Sequence, residues 1–213
     1  MLIQVAKNKL KRMFLHDLMN VGAVNELKAW ERSGKPVPPP HLFKQKIIIE
    51  YAKKYSIHVL IETGTYLGEM VDATKNTFDR IISIELDRVL YENAKKKFSG
   101  LNSISIIQGD SGEMLPAILS ELNEPTLFWL DGHYSGGVTA RSELETPIVR
   151  ELELLLNHHI AEHVVLIDDA RLFIGQDDYP TIEELRNLVL SKRPGSVFEV
   201  ENDIIRVHEN HLR

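Results

Sequence analysis

The chain has 213 residues, 43% hydrophobic and 26% charged, which suits one α/β domain with a modest extension. Its formal net charge of −6 argues against tracking a phosphate backbone, so no nucleic-acid partner is expected. The absence of cysteine removes disulfides, thiolate metal sites and cysteine nucleophiles, and no apolar run approaches the roughly 20 residues of a membrane helix.

In chain order, Leu2, Val5, Ala6, Leu10, Met13, Phe14, Leu18 and Val21 recur at three- and four-residue spacing and predict an amphipathic helix. Its apolar stripe is expected to pack on the main domain or to form a homodimer with a second copy. Lys7, Lys9, Lys11 and Arg12 interrupt any secretory core, so the expected location is cytoplasmic, with no membrane partner. The proline run at 33–40 cannot continue a helix, and it divides a helical extension with linker (1–40) from the main domain (41–213).

Phe43, Ile47, Tyr51 and Tyr55 then predict a helix feeding a strand near 58–62. A helix over about 66–78 and a strand at 80–85 follow. Asp87 is a candidate N-cap for a helix with Leu90, Ala94 and Phe98 on its buried stripe. Further strands are predicted at 104–108, 126–130 and 164–167. Helices are expected from Ser111 to Leu122 and around Leu152, Leu155 and Leu156, with Pro147 in the first turn. Thr181 and Glu184 have capping-box spacing, and the runs 197–200 and 204–207 flank Asn202-Asp203 as an antiparallel hairpin. The pattern is α/β: a Rossmann-like, doubly wound, seven-stranded sheet with a C-terminal antiparallel hairpin and an N-terminal helical extension.

Three of the strand ends carry ligand-binding chemistry. In Glu62-Thr-Gly-Thr-Tyr-Leu-Gly68, Gly64 permits a sharp turn and Gly68 a close helix–strand approach; Thr65 neighbours the turn. Glu85 lies 21 residues beyond Gly64, where a carboxylate accepts from both hydroxyls of a ribose. Asp110, followed by Ser111, is placed to receive the exocyclic amine of an adenine. Two more acidic sites, Asp131 after the fourth strand and Asp168-Asp169 after the fifth, converge if those strands are neighbours. Three carboxylate oxygens suit a hard cation, Mg²⁺ or Mn²⁺, which would also relieve their mutual repulsion. His133, two residues past Asp131, has the ordinary pKa of a general base, about 6.5. Gly136 and Gly137 suggest a gating loop, with Arg141 and Glu143 along it. His158, His159 and His163 fall on the far side of the sheet.

The segment Ile61–Gly68 resembles the first motif of class I S-adenosylmethionine-dependent methyltransferases, hydrophobic-hydrophobic-acid-x-Gly-x-x-x-Gly. Tyr66 stands where the middle glycine of a dinucleotide loop would be, which disfavours a pyrophosphate more than a sulfonium ligand. The acid after strand four and the Asp-Asp pair after strand five resemble cation-dependent O-methyltransferases, in particular the macrocin-type branch that modifies sugar and antibiotic hydroxyls. The resemblance covers about residue 41 to the C-terminus. It implies S-adenosylmethionine held by Glu62, Gly64, Thr65, Gly68, Glu85, Asp110 and Ser111. It also implies a cation held by Asp131, Asp168 and Asp169, with Asp131 and His133 catalytic. The acceptor would be a hydroxyl of a sugar, polyketide or catechol-like small molecule, and residues 171–179 would border its pocket. The alternatives are a non-catalytic regulatory subunit of the same fold, an NAD-dependent reductase, and a metal-dependent glycosyltransferase. The reductase reading lacks its glycine signature, and the glycosyltransferase reading lacks a diphosphate site.

Overall fold

The computed structural model describes residues 21–132 and 146–210. The stripe residues Leu2 to Leu18, and His133, Gly136, Gly137, Arg141 and Glu143, lie outside them.

Seven strands form one sheet: β1 (Val59–Thr63), β2 (Arg80–Glu85), β3 (Ile104–Gln108), β4 (Thr126–Leu130), β5 (Val164–Ile167), β6 (Ser196–Glu201) and β7 (Ile204–Glu209). Their order is β3-β2-β1-β4-β5-β7-β6. The first five are parallel, whereas β7 runs antiparallel to both β5 and β6. Parallel strands covered on both faces read as unbroken apolar runs, and every residue of β1, β4 and β5 is buried.

Helices α5 (Ser111–Ser120), α6 (Ile148–Leu156) and α7 (Ile182–Lys192) cover one face. They pack on Val59, Ile61, Phe128, Leu130 and Val165. Helices α2 (His41–Lys54), α3 (Glu69–Thr74) and α4 (Arg88–Lys97) cover the other, over Leu60, Ile81, Leu127, Trp129 and Leu166. The alternation of Leu60 with Val59 and Ile61 is the two-residue period of a strand distributing side chains between two cores. Each fully buried aliphatic or aromatic side chain contributes roughly 1.5–3 kcal/mol. The Asp87 carboxylate caps α4 by accepting from Val89 and Leu90 N–H, both at 2.8 Å, and Thr181 and Glu184 form the capping box of α7.

Three expectations shift. Helix α3 is much shorter than 66–78, because Tyr66 (φ 48°) and Gly68 (φ 66°) are left-handed and a turn follows at 75–77. Gly68 serves a different neighbour from the one expected: a Cβ there would lie 2.7 Å from the Phe98 ring of α4. Pro147 is the N-cap of α6 rather than a residue of its first turn.

Residues 21–32 form a helix, α1. Val21, the last residue of the expected stripe, is 58% exposed, while Leu27 and Trp30 further along α1 are buried. The Trp30 ring lies 4.7 Å from that of Phe43, and its Nε1 donates to Pro36 O at 2.6 Å. The proline segment is thereby folded back between α1 and α2. No helix among the described residues is long and apolar enough to cross a membrane.

Candidate active site at the carboxyl edge of the sheet

The order β3-β2-β1-β4-β5 reverses direction between β1 and β4, and ligands of open α/β sheets bind at the carboxyl ends of strands at such a switch point. Backbone bonds continue the sheet one step past those ends. Gly109 N–H donates to Glu85 O, Gly64 N–H to Ile84 O, Asp131 N–H to Thr63 O and Asp168 N–H to Leu130 O, all at 2.9–3.1 Å. The sheet itself therefore fixes the residues singled out at its edge.

At β1, Gly64 has φ 88°, and a Cβ there would lie 2.6 Å from Asp131 O. The glycine thus serves the turn and also the closure of β1 onto β4. Glu62 is buried; it accepts from Ser83 Oγ at 2.5 Å, and Ser83 Oγ in turn lies 2.6 Å from Thr65 Oγ1. Burial pushes the Glu62 carboxyl up to about 8 against that hydrogen bond, with Asp131 and Glu85 adding to the rise. Thr65, expected beside the ligand, turns its hydroxyl into this interior network. Glu85, 6% exposed, receives Tyr66 N–H on Oε2 (2.7 Å) and Asp87 N–H on Oε1 (2.8 Å). Burial raises its pKa, and these backbone donors oppose the rise. Each oxygen keeps further lone-pair capacity, as a pair of ribose hydroxyls would require. Asp110 is the N-cap residue of α5 without a side-chain capping bond, and Ser111 begins the helix, buried. Thr63 Oγ1 is buried with no hydrogen-bond partner among the described residues. It lies under Gly132, whose Cβ would sit 3.1 Å from it, so a polar atom is kept at the β1–β4 crevice.

Across the switch point, Leu130 pairs with Ile167. Asp131, Asp168 and Asp169 each place one carboxylate oxygen within 4.8 Å of the others. Asp168 and Asp169 are buried, and Asp169 adopts φ 56°. A non-glycine residue held left-handed costs roughly 1–2 kcal/mol.

Two side-chain cations also reach this cluster among the described residues. Lys44 Nζ, from the first turn of α2, lies 2.5 Å from Asp168 Oδ2 and 3.4 Å from Asp169 Oδ1. Arg171 Nη1 donates to Asp169 Oδ1 at 2.7 Å and pairs with Asp203 in the β6–β7 turn; Asp203 Oδ1 also accepts Arg171 N–H. Arg171 is therefore a clamp on the carboxylates and not simply the start of a pocket wall. Burial alone would lower the Lys44 pKa, but Asp168, Asp169 and Asp131 outweigh it and leave it raised. Asp168 is pushed up to about 6 by burial, against the pull of Lys44 and with Asp169 adding to the rise.

Neither Lys44 nor Asp203 was singled out in the sequence. Lys44 had a signal: it heads the stripe Ile47, Ile48, Tyr51 and Ala52 at helical spacing, so a charge stood in line with a buried face. Asp203 had none beyond turn chemistry.

Among the described residues, four carboxylates against two side-chain cations leave a formal excess of two negative charges. Oxygen donors with that excess fit a hard divalent ion. On the other half of the edge, recessed acids, a polar atom at the crevice and a glycine turn fit a nucleoside ligand.

No protein-family model matches the sequence, and no curated protein matches it. Solved structures do match, and they define the fold as that of class I methyltransferases. The O-methyltransferase TomG of Streptomyces achromogenes, involved in tomaymycin synthesis and solved with S-adenosylmethionine, superposes with a TM-score of 0.59 at 16% identity, over 88% of each chain. An O-methyltransferase of Bacillus cereus, solved with S-adenosylhomocysteine, gives 0.59 at 13% identity over 88% of this chain and 90% of its own. The methyltransferase PaMTH1 of Podospora anserina, also with S-adenosylhomocysteine, gives 0.55 at 16% over 88% of each. At such identities the likeness establishes the fold, and function has to be argued from the site.

Proposed function

We propose that the protein is an S-adenosylmethionine-dependent O-methyltransferase that works with Mg²⁺ or Mn²⁺ on a hydroxyl of a small molecule such as a sugar, polyketide or catechol. The observation that carries this reading is the division of one sheet edge into two acid groups. Glu85 and Asp110 stand on the β2–β3 side of the switch point, and Asp131, Asp168 and Asp169 converge on the β4–β5 side.

In this reading Glu85 accepts the ribose hydroxyls, Asp110 the adenine amine, and Glu62, Gly64, Thr65, Gly68 and Ser111 shape the surrounding wall. Asp131, Asp168 and Asp169 hold the cation, which supplies Lewis acidity that lowers the pKa of an acceptor hydroxyl and fixes its oxygen. Methyl transfer from a sulfonium is an in-line displacement, so the protein's part is alignment and removal of the hydroxyl proton. Asp131 helps to position the acceptor, and His133, outside the described residues, takes that proton. Arg171, braced by Asp203, keeps Asp169 in its left-handed conformation.

The test is a panel of sugar-diol and catechol acceptors with methyl-labelled cofactor, run with Mn²⁺ or Mg²⁺ and with chelator. Asp131→Asn and Asp168→Asn abolish cation-dependent turnover while cofactor binding persists. His133→Ala slows turnover by about 10²–10⁴, the usual span for a lost general base. Full activity in chelator would remove the metal from this reading and leave a cation-independent methyltransferase.

A further inference from the structure

Lys44 is in an unusual place for a lysine. It lies in the first turn of a helix, where the dipole disfavours a cation, and its side chain is only 13% exposed. A long flexible ammonium stem ordinarily extends to water; here it crosses 124 positions of sequence separation to reach two of the three aspartates. Asp168 has both oxygens engaged, Oδ1 by Asp169 N–H at 2.8 Å and Oδ2 by Lys44 Nζ at 2.5 Å. A divalent ion taking Asp168 as ligand needs one of these oxygens. The Oδ1 bond is part of the backbone turn that sets Asp169, so Oδ2 is the one that exchange can free.

Among the described residues, the two side-chain cations of the cluster differ in how they are held. Arg171 is fixed by its own N–H and its guanidinium to Asp203, besides Asp169. Lys44 is held only by the carboxylates of Asp168 and Asp169 among the described hydrogen bonds, and its ammonium is a point charge on rotatable carbons. Two positive charges sharing one carboxylate oxygen repel strongly in a recessed site.

We propose that Lys44 is a tethered cation that shares the three-aspartate site with the divalent ion: it holds Asp168 and Asp169 together while the ion is away and leaves Asp168 Oδ2 when the ion enters. This makes Lys44 a positioning residue that sets the metal affinity of the site. It rests on the cation-dependent reading above, and the experiment separates the two.

Mn²⁺ binding to the full chain is followed by the loss of the free-ion electron paramagnetic resonance signal, for wild type, Lys44→Met, Lys44→Gln and the control Lys46→Met. Lys46 is exposed on the same helix and removes the same charge without touching the site. Thermal unfolding in chelator and in Mn²⁺ checks that each variant folds, and Lys44→Gln preserves polarity if Lys44→Met does not. Both Lys44 variants are expected to bind Mn²⁺ at least tenfold more tightly than wild type, and to gain more unfolding temperature from it, while Lys46→Met stays within twofold. Equal affinity in wild type and both Lys44 variants, with Asp168→Asn abolishing it, overturns the role of Lys44 and leaves the metal site standing. No Mn²⁺ binding in any variant overturns both.

Discussion

Single residues in this protein carry electrostatic costs that pH can read. Thr126 N–H donates to His163 Nδ1 at 3.1 Å, so His163 carries its proton on Nε2 and passes it as a hydrogen bond to His158 Nδ1 at 2.8 Å. His158 Nε2–H then donates to Leu119 O at 3.0 Å. Both rings are satisfied only when neutral. Burial, reinforced by His158 and Arg193, pushes His163 down to about 4, and burial lowers His158 as well. A histidine whose folded pKa is depressed contributes stability that is full above about 6.5 and lost as pH falls toward 4, because the unfolded chain takes up the proton first. The raised Glu62 and Asp168 act in the opposite sense, losing stability as pH rises through about 8 and about 6. A comparison with a variant isolates the histidine. His163→Asn keeps an acceptor for Thr126 N–H but does not titrate. Between pH 7 and pH 4.5, wild type should lose on the order of 2–3 kcal/mol more than this variant in urea unfolding. Parallel pH curves would show that the histidine pair is not held neutral.

At the scale of elements, α1 joins the sheet domain, among the described residues, through buried Leu27 and Trp30 and the Trp30–Phe43 contact. Trp30→Ala removes a large buried ring and should cost about 3 kcal/mol or more of stability. It should also open residues 33–40 to proteolysis, as seen by mass spectrometry of limited digests. Unchanged stability and cleavage would mean that α1 is anchored elsewhere. Strands were the elements most legible in the sequence: 80–85, 104–108, 126–130 and 164–167 stand where the apolar runs place them. Of these, 126–130 and 164–167 are buried at every residue, which favours an unbroken apolar run, whereas the edge strand 104–108 leaves Ser105 and Gln108 exposed. The caps at Asp87 and Thr181 were also legible. Helix α3 was not, since its start depends on the left-handed Tyr66, and residue type alone does not announce that conformation. Within the site, the meeting of Asp131, Asp168 and Asp169 followed from strand adjacency. Lys44 and Asp203 reach it from α2 and the hairpin turn; a charge heading a buried stripe marks Lys44, but the carboxylates it meets lie too far along the chain for a local pattern to name them.

The whole molecule is a sheet whose order reverses once, and everything proposed for its chemistry depends on what binds at that reversal. The β3-β2-β1 side presents Glu85 and Asp110; the β4-β5 side presents the three aspartates, paired with Lys44 and Arg171. An adenosyl ligand lacking phosphates suits the first side, because Tyr66 occupies the position where a pyrophosphate needs bare backbone and its N–H is already given to Glu85. The most direct measurement is calorimetric titration of the full chain with S-adenosylhomocysteine and, separately, with NADH, on wild type, Glu85→Ala and Glu85→Gln. The account predicts that S-adenosylhomocysteine binds and NADH does not. It also predicts that Glu85→Ala weakens binding by roughly 10- to 100-fold, from the loss of charge-assisted hydrogen bonds worth about 1.5–3 kcal/mol, with Glu85→Gln intermediate. No heat with S-adenosylhomocysteine, or tighter binding of NADH, would contradict it.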